Sequence, residues 1–103
     1  MIMTSQADIV TKEKTTAALK EPGMYKVLFI NDDVTPMDFV VETLVQFFKH
    51  SVERANSITQ QVHNNGSAVA GVYTYEIAEQ KASETLADSR SRGYSLQVEL
   101  EKE

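Results

Sequence analysis

The spacing of hydrophobic and polar positions changes several times along this chain, and the changes predict three strands. Residues 25–30 form a short run of β-branched and aromatic side chains, as buried strands do. Residues 67–73, with Val69, Val72 and Tyr73, predict a second short strand. Leu96, Val98 and Leu100 alternate with polar residues, which predicts a half-exposed last strand.

Three other stretches carry the three- and four-residue spacing of amphipathic helices. Their start and end signals are Thr35 with Pro36 and about His50, then Ser51 and Gly66, then Thr74 and Gly93. Their predicted inner faces are Met37, Val40, Val41, Leu44 and Phe48; then Val52, Ala55, Ile58, Thr59 and Val62; then Ile77, Ala78, Ala82 and Leu86.

The element order is therefore strand, helix, helix, strand, helix, strand. We expect an α+β fold in which a small three-stranded antiparallel sheet packs against three helices. Residues 1–23 lack apolar periodicity, and we interpret them as a flexible N-terminal extension. Residues 24–103 would form the single core domain.

Composition excludes several classes of function. The chain has 103 residues with 10 Lys+Arg against 15 Asp+Glu, and this net charge of −5 does not favour binding to nucleic acid. The absence of cysteine excludes disulfides and thiolate chemistry, and with two histidines no metal or other cofactor is expected. No apolar run approaches the roughly 20 residues of a membrane span. The first residues do not resemble a secretory signal, so we expect a cytoplasmic protein without membrane contact.

The densest polar cluster is Asn31-Asp32-Asp33 with Thr35, placed between a strand and a helix. Two adjacent carboxylates beside a carboxamide could receive a cation. The alternative is an ordinary polar turn, in which such residues are common.

His63 adds a second observation, because it shares a helix face with Thr59 and Val62. If the first two helices pack side by side, Met37, Val40, Thr59 and Val62 could line an apolar pocket. The polar cluster and His63 would form its rim. Such a site suits a ligand with an apolar tail and a cationic head. The alternative is that the apolar residues are core and His63 is a surface histidine.

An enzyme is a weaker interpretation. Asp32 or Asp33 with His63 could act as an acid–base pair or ligate a divalent ion. The chain has no glycine-rich phosphate loop and no nucleophile motif, and the acidic spacing does not match a calcium loop. Glu76 and Lys81 should both be exposed on the third helix, either as solvated charges or as a docking surface.

Three segments together resemble the ClpS adaptor family, in order and with family-like spacing over residues 24–103. They are Tyr25-Lys26-Val27 through Asn31-Asp32-Asp33-Val34-Thr35-Pro36-Met37-Asp38-Phe39-Val40-Val41; Val62-His63-Asn64-Asn65-Gly66; and Gly71-Val72-Tyr73-Thr74-Tyr75-Glu76-Ile77-Ala78-Glu79, with Lys81 and Leu96. The resemblance implies a small α+β adaptor with a mobile N-terminal extension and no enzymatic activity. It would bind proteins with destabilising N-terminal residues, the N-degrons, and deliver them to the Clp unfoldase–protease.

The resemblance also implies a role for individual residues. Asn31, Asp33 and His63 would receive the α-ammonium group of the substrate, and Asp32 would shape and charge the same rim. Glu76 and Lys81 would dock on the N-terminal domain of a ClpA-type unfoldase. The first side chain of the substrate (Phe, Tyr, Trp or Leu) would enter a pocket lined by Thr35, Met37, Val40, Thr59, Val62 and Leu96.

One departure from the family bears on specificity. Thr59 stands where many members have Met, which predicts an altered ranking among Phe, Tyr, Trp and Leu. Two other functions stay open: an adaptor that only docks on the unfoldase, and a ribosomal-stalk-like structural module, since fold alone does not determine function.

Overall fold

Seven elements build the part of the chain that the structure, a computed structural model, describes, namely residues 10–11 and 23–103. In chain order they are β1 (Val10–Thr11), β2 (Met24–Ile30), α1 (Met37–Gln46), α2 (Val52–Asn65), β3 (Ser67–Thr74), α3 (Tyr75–Ser91) and β4 (Gln97–Lys102). After β1, this order is the predicted one.

The strands form one sheet in the order β1-β4-β2-β3. β2 pairs antiparallel with both β3 and β4, so the predicted three-stranded antiparallel sheet is confirmed. β1 adds a parallel pair at the outer side of β4, with Val10 opposite Glu99. The sequence did not predict β1, because a strand of two residues carries no periodic pattern.

β2 alternates between the two faces of the sheet. Tyr25, Val27 and Phe29 are fully buried, whereas Leu28 and Ile30 are partly exposed. The strand was predicted as simply buried, but only one of its faces is, because the helices cover that face. The buried residues of β2, β3 and β4 form one hydrophobic cluster with those of the helices.

α1 differs from its prediction at both ends. It begins at Met37 with the extended residue Pro36 as N-cap, instead of Thr35. The hydroxyl of Thr35 donates to Asp32 instead, so it does not cap the helix. The helix ends at Gln46, short of His50, because the chain turns at Lys49, whose φ of 61° is left-handed.

The predicted caps of α2 are confirmed. The Ser51 side chain accepts a hydrogen bond from the Arg54 amide, and Gly66 ends the helix with a left-handed φ of 91°. The carbonyl of Gly66 then accepts a 2.8 Å hydrogen bond from the amide of Asn31. This bond brings the end of α2, which carries His63, to the end of β2.

Three predicted inner-face residues are exposed instead: Met37 by 38%, Val52 by 60% and Ile77 by 43%. Each lies in the first turn of its helix. Phe39 was not predicted as core but is buried against Tyr94, with 5.1 Å between ring centroids. Helical spacing gave the direction of each face but could not show how far the core extends along the helix.

Gly71 in β3 leaves room for an aromatic side chain. A Cβ atom at this position would lie 2.6 Å from Cε2 of Tyr73, so any larger residue would displace the Tyr73 ring. The ring lies over the glycine, near Phe48 after α1 and Lys81 of α3.

The predicted flexible extension over residues 1–23 lies, apart from β1 and Gly23, outside the described residues, and the boundary at residue 24 stays a prediction. Within residues 10–11 and 23–103, no helix has the length and apolar character needed to span a bilayer.

Candidate functional site

A pocket opens where β2 ends and where α1 approaches α2. It is lined by Ile30, Asn31, Asp32, Thr35, Met37, Val40, Thr59, Val62, His63 and Leu96. Every residue predicted for the substrate site except Asp33 is among them. The side chains are therefore brought together as predicted, while their roles stay predictions.

Asp33 and Ile30 are the two differences from the predicted site. Asp33 is exposed and does not line the pocket, because the turn that follows β2 directs it to solvent. Ile30 lines the pocket but was not predicted. Its position as the last residue of β2, directly before Asn31, is the sequence signal that could have identified it.

The base of the pocket is apolar and the mouth is more open. Val40, Val62 and Leu96 are 5%, 4% and 1% exposed. Met37, at 38% exposure, lies on the surface above them. An apolar group entering the pocket would therefore leave water and pass beside the Met37 side chain.

Thr59 contributes an apolar surface despite its hydroxyl group. The side chain is 3% exposed, and Oγ1 donates a 2.8 Å hydrogen bond to the carbonyl of Ala55 one turn earlier. This back-bonding satisfies the hydroxyl within the helix. The methyl group is then the part of Thr59 left to line the pocket.

Asp32 organises the turn at the rim. Its Oδ1 accepts from the amides of Val34 at 2.8 Å and Thr35 at 2.7 Å. Its Oδ2 accepts from the hydroxyls of Thr35 at 3.1 Å and Ser95 at 2.8 Å. These bonds close the turn after β2 and join it to the segment that precedes β4.

The hydrogen bonds also favour the charged form of Asp32. Partial burial raises the pKa of this carboxyl, but the hydrogen bonds together outweigh burial and hold the pKa below its ordinary value of 3.8. The contribution of these hydrogen bonds to the stability of the fold is therefore complete above about pH 4, and it is lost as the pH falls through the lowered pKa of Asp32. The rim carries a negative charge at neutral pH.

Asn31 and His63 complete the rim, and both are exposed. A carboxamide oxygen and a neutral imidazole nitrogen can each accept a hydrogen bond from an ammonium group, and the charged carboxylate of Asp32 attracts such a group electrostatically. The pocket can therefore hold an apolar side chain beside a small cation. Among the described residues, no group of three or more His, Asp or Glu side chains could hold a metal ion.

Glu76 and Lys81, the second predicted set, differ in their exposure to solvent. Glu76 is exposed in the first turn of α3. Lys81 is partly buried, and its ammonium group donates a 2.7 Å hydrogen bond to the Phe47 carbonyl. The prediction that both side chains are exposed is wrong for Lys81.

Two aromatic rings lie beside the ammonium group of Lys81. The nitrogen lies 5.3 Å from the centroid of Tyr73 and 5.9 Å from that of Phe48, within cation–π range. The lysine thus joins the end of α1 to α3. The sequence gave no signal for this contact, because the partners lie far apart along the chain.

An open groove lies beside this lysine, and sequence reasoning missed it. It is lined by Gln46, Phe47, Lys49, Ile77, Gln80, Lys81 and Glu84. Its apolar lining includes Ile77, which is exposed and not part of the core.

Comparisons with known proteins agree on one family. The model described as "ATP-dependent Clp protease adaptor protein ClpS" matches residues 20–99. A Maricaulis maris (strain MCS10) protein named ATP-dependent Clp protease adapter protein ClpS is 48% identical over 90 residues, which cover 87% of this chain and 83% of the relative. A protein of the same name from Escherichia coli O1:K1 / APEC is 44% identical over 95 residues, covering 92% and 90%.

A solved structure is also similar. It is that of Agrobacterium tumefaciens ClpS2 bound to L-phenylalaninamide, with a TM-score of 0.77 and 36% sequence identity. The similarity covers 81% of this chain and 100% of that chain.

The contacts of Lys81 predict a structural contribution that Glu76 lacks. We expect Lys81→Ala to lower the free energy of unfolding by about 1–3 kcal/mol, because the Phe47 carbonyl loses a charged donor. Glu76→Ala should change it by less than about 0.5 kcal/mol, as exposed substitutions do. Urea unfolding measures both, and Lys81→Met, which keeps the apolar stem, isolates the ammonium group. Equal stability of Lys81→Met and the wild type would contradict this role.

Proposed function

The chain belongs to the ClpS family of Clp protease adaptors, which are not enzymes, and we propose that it selects N-degrons for that protease. It binds proteins whose first residue is bulky and hydrophobic, and it delivers them to the AAA+ unfoldase. The substrates begin with Phe, Tyr, Trp or Leu. The site of action is the cytoplasm, as expected from the sequence.

The observation that carries this proposal is the joining of an apolar pocket to a polar rim. Val40, Val62 and Leu96 offer an apolar base, and Asn31 with His63 offers acceptors at the mouth. The similar Agrobacterium tumefaciens protein is bound to L-phenylalaninamide. That ligand carries a free α-amino group, a benzyl side chain and a blocked carboxyl, as an N-terminal phenylalanine does. Its chemistry therefore matches the arrangement of this pocket.

The binding free energies of the individual contacts explain why both the apolar pocket and the polar rim are needed. Burying one large apolar side chain contributes about 1.5–3 kcal/mol. A hydrogen bond to a charged group contributes about 1.5–3 kcal/mol. Micromolar affinity needs about 8 kcal/mol, so the side chain and several contacts to the ammonium group must act together. Such a site requires both a large first residue and a free N-terminus.

Within the rim, the structure favours a division of roles. Asn31 and His63 line the pocket and are exposed, so they can reach an incoming ammonium group. Asp32 contributes its negative charge while its oxygens hold the turn. Asp33 needs a local adjustment of the turn to contact the ligand, since it does not line the pocket here.

Delivery requires a second surface, and we place it around Glu76 on α3. This carboxylate is exposed and free to face a partner, here the N-terminal domain of a ClpA-type unfoldase. Lys81 supports the same surface through the end of α1. A docking-only modulator would need this surface but not the pocket. A ribosomal-stalk-like module would have no use for acceptors grouped at the mouth of an apolar pocket.

Peptide binding tests the recognition half of the proposal. We expect a labelled peptide beginning with Phe to bind saturably in fluorescence anisotropy. Its N-acetylated copy should bind at least about 30-fold more weakly, because acetylation removes a charge whose contacts are typically worth 2–5 kcal/mol. Asn31→Ala and His63→Ala should weaken binding, and because both residues are exposed the variants should remain folded.

A peptide beginning with Ser serves as the side-chain control and should not bind. Absence of binding for all peptides beginning with Phe, Tyr, Trp or Leu would overturn N-degron recognition. The docking-only function would then be the better account.

Charge reversal tests the docking half. We expect Glu76→Arg to slow degradation of an N-degron reporter by the unfoldase–protease several-fold while leaving peptide affinity unchanged. Glu53→Arg is the matched control, since Glu53 is an exposed first-turn carboxylate on a different helix, α2. Equal degradation rates for the two variants would show that docking does not involve Glu76.

Substitution of Thr59 tests the origin of side-chain selectivity. Because the hydroxyl is bound to the Ala55 carbonyl, Thr59→Val should keep the affinity for each peptide within about twofold. Thr59→Met places a larger side chain in the pocket wall and narrows the pocket, so it should alter the ranking of Phe, Tyr, Trp and Leu, with Trp losing most. Anisotropy titrations with the four peptides give the rankings. An unchanged ranking in Thr59→Met would exclude Thr59 as the determinant.

A further inference from the structure

The carboxylate of Asp32 has no free hydrogen-bonding direction left. A carboxylate offers about four lone-pair sites. Two backbone amides occupy Oδ1, and the hydroxyls of Thr35 and Ser95 occupy Oδ2. Asp32 therefore cannot take up an ammonium group without giving up one of these donors. The main role of Asp32 is to stabilise the turn.

Three of these four donors are local, and the fourth is not. Val34 and Thr35 belong to the turn itself, whereas Ser95 follows Asp32 by 63 residues in the chain. Local bonds shape the turn but do not fix its direction relative to the pocket. The Ser95 hydroxyl is the contact of Asp32 that can do so.

Ser95 is attached to a firmly held part of the pocket wall. Its neighbour Leu96 lines the pocket and is 1% exposed. The Leu96 amide donates to the Ser89 hydroxyl at 3.3 Å, and its carbonyl accepts from Arg90 at 3.3 Å. Both bonds lead back to α3. The segment that carries Ser95 is thus fixed on the helix side.

We propose that Ser95 is a positioning residue for N-degron binding: its hydroxyl fixes the 31–35 turn against the Leu96 wall and so holds Asn31, the ammonium acceptor that the turn carries, over the pocket. This inference rests on the proposed function. The turn is then fixed at both sides, by the Asn31–Gly66 backbone bond and by the Ser95–Asp32 bond.

Preorganisation explains the expected gain in affinity. A turn that is ordered before binding does not lose conformational freedom when the ligand arrives. Without the Ser95 hydroxyl, the turn that carries Asn31 must be ordered by the ligand itself. The bond is solvent-exposed, so we expect a loss of about three- to tenfold in affinity, consistent with a single hydrogen bond of this kind.

Three variants test the proposal in the full chain. Ser95→Ala removes the hydroxyl donor, and Ser95→Thr keeps it. Ser91→Ala is the matched control, because Ser91 is also exposed and its hydroxyl donates to the Asp88 carbonyl at 2.8 Å, away from the pocket. The affinity for the free Phe peptide should fall three- to tenfold in Ser95→Ala alone. Ser95→Thr and Ser91→Ala should bind as the wild type does.

A titration distinguishes positioning from a general loss of structure. The Ser95 hydroxyl helps to lower the pKa of Asp32, so its removal should move the Asp32 midpoint upward. Carbon-13 NMR of the side-chain carboxyl follows this residue separately from Asp33 in the same turn. His63 on α2 lines the same pocket, Arg90 on α3 donates to the Leu96 carbonyl, and none of the three variants alters either residue.

The outcomes distinguish failure of the positioning role from failure of the proposed function. If the wild type binds the Phe peptide but Ser95→Ala binds equally well, the positioning role is overturned and the proposed function stands. The positioning role is also overturned if the Asp32 midpoint does not move in Ser95→Ala, or if Ser95→Thr binds the Phe peptide more weakly than the wild type does. If the wild type binds no N-degron peptide, the proposed function fails and this role fails with it.

Discussion

Tyr25, Val27 and Phe29 lie on one face of β2 and are fully buried, and the three helices belong to the hydrophobic cluster built on that face. Because β2 is hydrogen-bonded to β3 on one side and β4 on the other, its position is fixed in two directions. The strand ends where the sequence turns polar, at Asn31. The amide of Asn31 then pairs with the carbonyl of Gly66 at the end of α2. The same constraint that builds the core therefore places the polar cluster beside His63.

Different interactions position the base and the rim of the pocket. Its base consists of side chains that also serve the core, such as Val40 and Leu96, and these are positioned by packing. Its rim consists of polar groups at a chain turn, positioned by hydrogen bonds. The turn is the less constrained half, since its central residues are exposed. The contacts of Asp32 thus matter more for the site than for the core.

Lys81 illustrates how a residue implied by resemblance can have a different physical role. Resemblance assigns it to a docking surface together with Glu76. In the structure its ammonium group binds the Phe47 carbonyl beside two aromatic rings, one of which needs the space left by Gly71. A variant at Lys81 that impairs delivery could therefore act through the junction of α1 and α3. Glu76, which is exposed, is the better reporter of docking.

The sequence by itself determined the order of the elements, the antiparallel three-stranded sheet, the caps at Ser51 and Gly66, and almost all residues of the pocket. These features depend on local spacing, on cap chemistry and on motifs that resemble one family. Tertiary structure decided what depends on distant partners. Thr35 bonds to Asp32 instead of capping α1, and Ser95 reaches Asp32 from beyond α3. Lys81 turns inward to Phe47. A hydrogen-bond donor's choice among acceptors depends on three-dimensional distance, which residue spacing along the chain does not specify.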